Sequence, residues 1–466
     1  MARPLLLAGS LVHTDDVVEV RAPFDGRVVA EVCIADVPRA DFAALAAAGG
    51  FAATRRMPAH TRAAILRATA AGVALRRAEL VAVLRDEGGK PVRFGRDEVD
   101  RAIRTLELCA AEALRIDGAV LPMHTGAPVT LKRCFPRGPV LALTLVNFPL
   151  LSVAQRVGPA VAAGCPIVIR PALQAPTAAL LLGKALVEAG WIESAISVLP
   201  CDKPVTDALV TDPHFATLCY TGSGRAGWNV RARAGRKHLV VDSGEAANAI
   251  VESDADLEQA LPRVAEGAFA HAGQACATVQ RIFVHSSIYE EARARLVDAT
   301  QRVGHGDPAE DDVVCGPMID GRRRARVEAW MAGAEASGAR CLAGGDRVGS
   351  VLTPAVMEAP STGWRSHTRE CSGPVAMLER YESLDEAIDL INDAPGTQET
   401  GLFTQTLSRL WHVFDRLDAG SLVHDAWPTQ RPATPVEDEP NRSLRNRPRV
   451  TIEEMTEIRT LVLRNV

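Results

Sequence analysis

The stretch PRGPVLALTLVNFPL occupies residues 136–150. Its centre, VLALTLV at 140–146, is apolar at almost every position and lacks the alternation of a half-wet strand. That pattern suits a strand buried on both faces. A Pro-Arg-Gly-Pro turn precedes it and Asn147-Phe148-Pro149 follows. A helix is expected over 152–163, then a strand in CPIVIRP at 165–171 and a helix in TAALLLGKALVEAG at 177–190, stopped by Gly190. ISVLP (196–200), ATLCYTGS (216–223) and HLVVDS (238–243) continue the strand series. Strands alternating with helices imply an α/β fold with a parallel sheet covered on both faces. Sheets of this kind bind nucleotides at the carboxyl ends of their strands.

Upstream, residues 38–115 are rich in Ala, Leu and Arg, with apolar positions at helical spacing, which predicts several amphipathic helices. IDGAVLPMHTGAPVTLKRCFP at 116–136 mixes β-branched residues with Gly and Pro, as a short hairpin would. Downstream, a second block of the same kind runs from 256 to about 430, with strands in RIFVH (281–285) and near PVAML. The Pro-, Arg- and Asn-rich segment at 431–449 reads as an irregular loop, and RTLVLRN at 459–465 as a closing strand.

The 466 residues suffice for two or three domains. A net charge of −5 gives no basic surface for nucleic acid, and the short RRRAR run at 322–326 reads as a solvated helix face. No apolar run reaches the ~18 residues of a membrane span. The opening MARPLLLAGSLVHTDD has too short an apolar run for a signal peptide, so a cytoplasmic location is expected. The ten cysteines are scattered singly, with no C-x-x-C pair. That spacing argues against a zinc site or a disulfide framework, and no metal site is expected.

One cysteine stands apart. In HAGQACATVQR at 271–281, Cys276 lies between Ala275 and Ala277, uncrowded and open to attack a substrate. LVVDSGEAANAIV at 239–251 supplies carboxylates for a helper.

From about residue 20 to 465 the chain resembles the aldehyde dehydrogenase superfamily. Six segments carry the resemblance in order: PRGPVLALTLVNFPL (136–150), AAGCPIVIRPALQAP (162–176), YTGSGRAG (220–227), FAHAGQACATVQRIFVH (269–285), RECSGPV (369–375) and EEMTEIRTLVL (453–463). The ending PRVTIEEMTEIR and the phrase IVESDADLEQA are similar to the group that oxidises small hydroxy-, phosphono- or semialdehydes.

The resemblance implies NAD(P)-dependent oxidation of a small aldehyde to its acid through a covalent thioester on Cys276. Asn147 and the Cys276 backbone N–H would hold the oxyanion, and a carboxylate would activate water. By register that carboxylate is Asp242, one methylene shorter than the family's glutamate. Glu245 in its place, or no competent base, are the open alternatives. The implied cofactor, NAD or NADP, would be held by Arg170, the turn of Gly222, Ser223 and Gly227, and Glu370. Leu173 stands where a ribose-binding glutamate is usual, which admits a 2′-phosphate. Val146, Ser372 and the glycine-free TPVEDEPNRSLRN (434–446) also depart from the pattern. The implied architecture has two Rossmann-like parallel-sheet domains and a small β bridging element. The cofactor domain takes 1–115 and 137–240, the catalytic domain 241–431, and the bridge 116–136 and 432–466. The C-terminal strand would join subunits into a homodimer or homotetramer. Two other readings stay open: a catalytically impaired relative with a structural or partner-binding role, and an acylating variant that passes its acyl group to a thiol such as coenzyme A.

Overall fold

The computed structural model describes residues 2–121, 129–222, 224–243, 246–275, 277–360, 371–394, 399–427 and 448–463, with backbone alone at 224–225, 242–243 and 448–450. The chain opens with strands β1 (Leu5–Leu7), β2 (Ser10–Val12), β3 (Val17–Arg21) and β4 (Val28–Cys33). Helices α1 (Val37–Thr54), α2 (Ala59–Leu75), α3 (Arg77–Gly88) and α4 (Val92–Ala113) follow, where helical spacing predicts them. Then come β5 (Gly118–Val120) and β6 (Val129–Pro136), an antiparallel pair as expected.

The alternating series is β7 (Val140–Leu143), α5 (Leu151–Ala163), β8 (Ile167–Arg170), α6 (Thr177–Glu188), β9 (Ile196–Val198), α7 (Lys203–Thr211), β10 (Thr217–Gly222), α8 (Gly224–Arg233) and β11 (His238–Ser243). Its strands pair in the order β11-β10-β7-β8-β9, all parallel, and β1 and β2 extend the sheet antiparallel beyond β9. The Leu5–Leu7 run is therefore a sheet strand, with Leu5 and Leu6 fully buried. The series runs outward from β7 to β9 and returns to β10 on the other side of β7. That reversal between β7 and β10 is the switch point at which such sheets take ligands.

The second series is β12 (Ala247–Val251), α9 (Leu257–Phe269), β13 (Val279–His285), α10 (Tyr289–Gln301), α11 (Gly321–Ala336), β14 (Arg340–Ala343), the hairpin of β15 (Arg347–Val348) and β16 (Val351–Leu352), β17 (Ala355–Glu358), β18 (Val375–Tyr381), α12 (Leu384–Asn392), β19 (Glu399–Phe403), α13 (Leu407–Arg416) and β20 (Ser421–His424). It forms a second seven-stranded sheet in the order β14-β17-β18-β13-β12-β19-β20, parallel except for β14. The chain ends with α14 (Pro448–Glu454) and β21 (Thr456–Leu463), and β21 pairs antiparallel with β6 along its full length.

Two expected boundaries move. The strand over 140–146 stops at Leu143, because the chain must leave the sheet to turn through Asn147-Phe148-Pro149. The C-terminal segment at 453–463 begins inside a helix. Pro448 suits a first helical turn, and Ile452 and Met455, three apart, bury against the cofactor-sheet core. Most of the loop expected at 431–449 lies outside the described residues.

Helix α6 has no side-chain cap of its own, and its first N–H, from Thr177, donates instead to Glu87 Oε2 at 3.1 Å. Glu87 is buried, and desolvation pushes its carboxyl up to about 7 against the opposing Thr177 hydrogen bonds. A carboxyl raised in the folded state favours folding at low pH, and that advantage is lost as pH rises through about 7. The loss amounts to about 3 kcal/mol between pH 4.5 and 8. Glu87→Gln keeps an acceptor for Thr177 and cannot ionise. Its melting temperature relative to wild type is expected to climb by a few degrees from pH 5 to 8 in scanning calorimetry. A constant difference would show that Glu87 does not titrate there.

Candidate active site at the carboxyl ends of the cofactor sheet

The pairing register puts Arg170, Leu143, Tyr220 and Val241 in one row across β8, β7, β10 and β11. Asp242 and Ser243 lie just past that row on β11, level with Thr221 and Gly222 on β10. Asn147 follows in the loop that leaves β7. The residues singled out in this part of the sequence therefore gather at one edge, the edge where the strand order reverses.

Asn147 is held at a corner. Its amide Nδ2 donates to the Gln274 carbonyl at 2.7 Å, across to the second unit. The next residue, Phe148, has its ring centroid 3.7 Å from Lys90 Nζ. Helix α5 starts just beyond, also without a side-chain cap of its own. Glu98 Oε1 supplies the acceptor, for Leu150 N at 2.9 Å and Leu151 N at 3.0 Å, and Glu98 Oε2 pairs with Lys90. Val146 packs with Ala172, Ala175 and Ile319, an apolar cluster shared by the two units.

The segment that leads to position 276 is shaped as tightly. After α9, His271, Ala272 and Gly273 are successive left-handed residues, with φ of 52°, 55° and 64°. Such backbone costs ~1–3 kcal/mol per non-glycine residue and persists only where surroundings enforce it. A Cβ on Gly273 would lie 2.0 Å from the Gly373 carbonyl oxygen, so only glycine fits there. The buried Gln274 side chain is a strut: Nε2 donates to the His271 carbonyl at 3.0 Å, and Oε1 accepts from Ile319 N at 3.0 Å. The His271 ring is buried, and among the described residues neither of its nitrogens has a hydrogen-bond partner. Burial, with the charges of Lys90 and Arg323 acting the same way, holds its imidazole well below its ordinary value, so it is neutral.

Cys276 lies outside the described residues, as do Ser223, Glu245 and Glu370, and of Asp242 only the backbone is described. Their surroundings are informative. Thr278 Oγ1 donates to the Ala275 carbonyl at 3.0 Å, tying together the residues that flank position 276. Ala247 N donates to the Thr278 carbonyl at 2.9 Å, tying the segment after Asp242 to the same stretch. Gln280 clamps the residue after Glu370: its Nε2 donates to the Cys371 carbonyl at 2.7 Å and its Oε1 accepts from Cys371 N at 3.1 Å. The fully buried cysteines make poor nucleophiles. Desolvation pushes Cys165 and Cys219 up to about 11 and Cys315 up to about 12.

The residues present fit a dinucleotide. Helix α8 begins just past the end of β10, so its N-terminus lies at the switch point, where a pyrophosphate would sit. A Cβ on Gly222 would come within 2.3 Å of Tyr220 Oη, and one on Gly227 within 3.1 Å of Val241 Cγ1. Gly227 lets α8 lie close to β11, and Gly222 leaves room for the Tyr220 ring. Arg170 is half-buried at the end of β8, its Nε donating to Thr206 Oγ1 at 3.0 Å and Nη2 to the Cys201 carbonyl at 3.1 Å.

A family model for the aldehyde dehydrogenase family matches residues 12–457. The chain belongs to the aldehyde dehydrogenase family. Its reaction is the NAD(P)-dependent oxidation of an aldehyde. The chain is 33% identical over 400 residues to a 3-sulfolactaldehyde dehydrogenase of Priestia aryabhattai, covering 83% of each chain. It is 32% identical over 457 residues to aspartate-semialdehyde dehydrogenase 1 of Pseudomonas canavaninivorans, covering 96% of each. Among solved structures, aldehyde dehydrogenase 21 of Physcomitrella patens, in complex with its reaction product succinate, superposes with a TM-score of 0.93 at 31% identity. That match covers 100% of this chain and 98% of the other.

Sequence reasoning passed over Gln280, Lys90, Glu98 and His271. Gln280 carried a signal, since it lies in the same segment as Cys276, but nothing in the sequence shows that it clamps Cys371. Gln280→Ala would leave both backbone groups of Cys371 without these partners. Binding of the cofactor, titrated by calorimetry, is expected to weaken about tenfold or more. Unaltered affinity would show that the clamp has no bearing on cofactor binding.

Proposed function

We propose that the protein oxidises a small acidic aldehyde to its acid through a covalent intermediate on Cys276, with Asn147 as oxyanion donor and Asp242 as general base. The observation that carries this reading is the Asn147–Gln274 hydrogen bond, which sets a side-chain amide beside the nucleophile segment at the switch point of the cofactor sheet. Asn147 keeps a second amide hydrogen for the oxyanion.

The chemistry runs in three stages. The Cys276 thiolate attacks the carbonyl carbon, forming a C–S bond and moving the π pair onto oxygen, which Asn147 and the backbone N–H of residue 276 stabilise. A bound nicotinamide would supply the acceptor for the hydride that leaves this carbon, and the returning oxygen pair re-forms the carbonyl as a thioester on Cys276. Asp242 then takes a proton from water, which attacks the thioester. The C–S bond breaks, the acid departs and the thiolate is restored. Arg170, Gly222, Ser223, Gly227 and Glu370 are the residues assigned to the cofactor. Leu173 in place of a carboxylate removes a repulsion to a 2′-phosphate, so NADP is admitted beside NAD.

The acidic substrate follows from the relatives, named for 3-sulfolactaldehyde and aspartate semialdehyde, and from the succinate in the moss enzyme's structure. Assembly into a homodimer or homotetramer through β21 is part of the same reading. β21 is an edge strand on which Ile458, Leu461 and Val462 are exposed. No described helix is long and apolar enough to cross a membrane.

Cys276→Ala is expected to abolish cofactor reduction with succinic semialdehyde while leaving the melting temperature unchanged; an active alanine variant would sink the nucleophile assignment. Asp242→Asn is expected to keep a first-turnover burst of reduced cofactor and to slow the steady rate by about 10²–10⁴-fold. A steady rate equal to wild type would remove Asp242 as the base. A steady rate restored by added coenzyme A would favour the acylating reading. Absence of both cofactor binding and burst in the wild-type protein would favour the impaired one.

A further inference from the structure

The mechanism above does not use the most deeply buried ion pair described in this chain. Lys90 follows the αL cap of α3, and Glu98 lies in the second turn of α4; they are 1% and 0% exposed. Burying two charges is costly, and apolar residues of equal volume often serve stability as well or better. Both charges act on the corner that carries Asn147. Glu98 puts a carboxylate at the N-terminus of α5, accepting from Leu150 N and Leu151 N, which Pro149 and an apolar start leave without a local cap. Lys90 stands over the face of Phe148, next to Asn147, and the Arg101 guanidinium lies 5.9 Å from the same ring. The field of Lys90 also reaches His271 in the nucleophile segment, where the charge of Arg323 acts with it. The pair therefore holds the corner just past Asn147, at Phe148 and at Leu150 and Leu151, and Asn147 in turn meets the segment that leads to Cys276.

We propose that the buried Lys90–Glu98 pair is a positioning element of the oxyanion site: it fixes the 147–151 corner, and with it the Asn147 amide, against the nucleophile segment. This inference rests on the reading of Asn147 as the oxyanion donor. Neither Lys90 nor Glu98 touches substrate; they act through the corner. A charged carboxylate binds two backbone N–H groups more strongly and with stricter geometry than a neutral amide does. The cation over Phe148 limits how the ring, and the residue before it, can turn.

The test uses the full chain with succinic semialdehyde and saturating NAD⁺ or NADP⁺. Lys90→Met, Glu98→Gln and the double variant are each expected to lower kcat and kcat/KM together, by about 10–100-fold, with KM unchanged. Cofactor affinity in calorimetry is expected to stay at the wild-type value. The double variant has no unpaired buried charge and keeps the packing, so it is the one to read if a single variant fails to fold. Asn147→Ala alone is expected to lose about 10²–10³-fold in kcat. Adding Glu98→Gln to it should cost nothing further, because the pair acts only through Asn147. The proposal is overturned if the folded double variant turns over at the wild-type rate, if the losses multiply in the Asn147→Ala background, or if cofactor affinity falls in step with kcat. An unchanged kcat for Asn147→Ala is a separate outcome. It would remove the oxyanion reading itself, and this inference with it, whatever Glu98→Gln does.

Discussion

The hydrogen bond from the Asn147 amide to the Gln274 carbonyl, 2.7 Å long, joins the two sheets at the place where chemistry is possible. On one side stands the carboxyl edge of the cofactor sheet, where α8 offers its N-terminus. On the other stands a turn of three consecutive left-handed residues that delivers the chain to position 276. Neither side is self-supporting. The corner depends on Glu98 for the acceptor its helix lacks, and the turn depends on Gln274 and on the close approach of Gly273 to Gly373.

The electrostatics divide along the same line. The buried cysteines of the sheet core are held as neutral thiols by desolvation, and His271 is held as neutral imidazole. Buried carboxyls fix backbone instead: Glu87 accepts at the start of α6, and Glu98, paired with Lys90, at the start of α5. Helices of this sheet thus begin on carboxylates borrowed from the α3–α4 layer. That layer acts as a scaffold for the cofactor edge and is more than a cover for the sheet.

Much of this was legible in the sequence. The strands from 140 to 243 are continuous apolar runs bounded by turn residues, so their existence and parallel pairing followed from pattern alone. Residues 136–150 and 269–285 pointed to Asn147 and Cys276 through their resemblance to family segments, not through any local period. The parts that escaped are of two kinds. Leu5–Leu7 is too short to show a period, and only pairing with β2 and β9 makes it a strand. Lys90, Glu98 and Gln280 look like ordinary polar positions in a chain with 23% charged residues; their roles arise from partners about 50 to 90 residues away, which no local pattern encodes. The helix at Pro448–Glu454 was masked by the Pro- and Arg-rich run before it, although Ile452 and Met455 carried the helical spacing.

The central claim is that the aldehyde carbon becomes bonded to Cys276 beside Asn147. Acid-quenched mixing of the protein with NAD⁺ or NADP⁺ and succinic semialdehyde, followed by peptide mass spectrometry, tests it most directly. The account predicts a succinyl mass increment on the peptide bearing Cys276, formed only when cofactor is present and lengthened in lifetime by Asp242→Asn. Cofactor reduction without any adduct on that peptide, or with the adduct on one of the other nine cysteines, would contradict it.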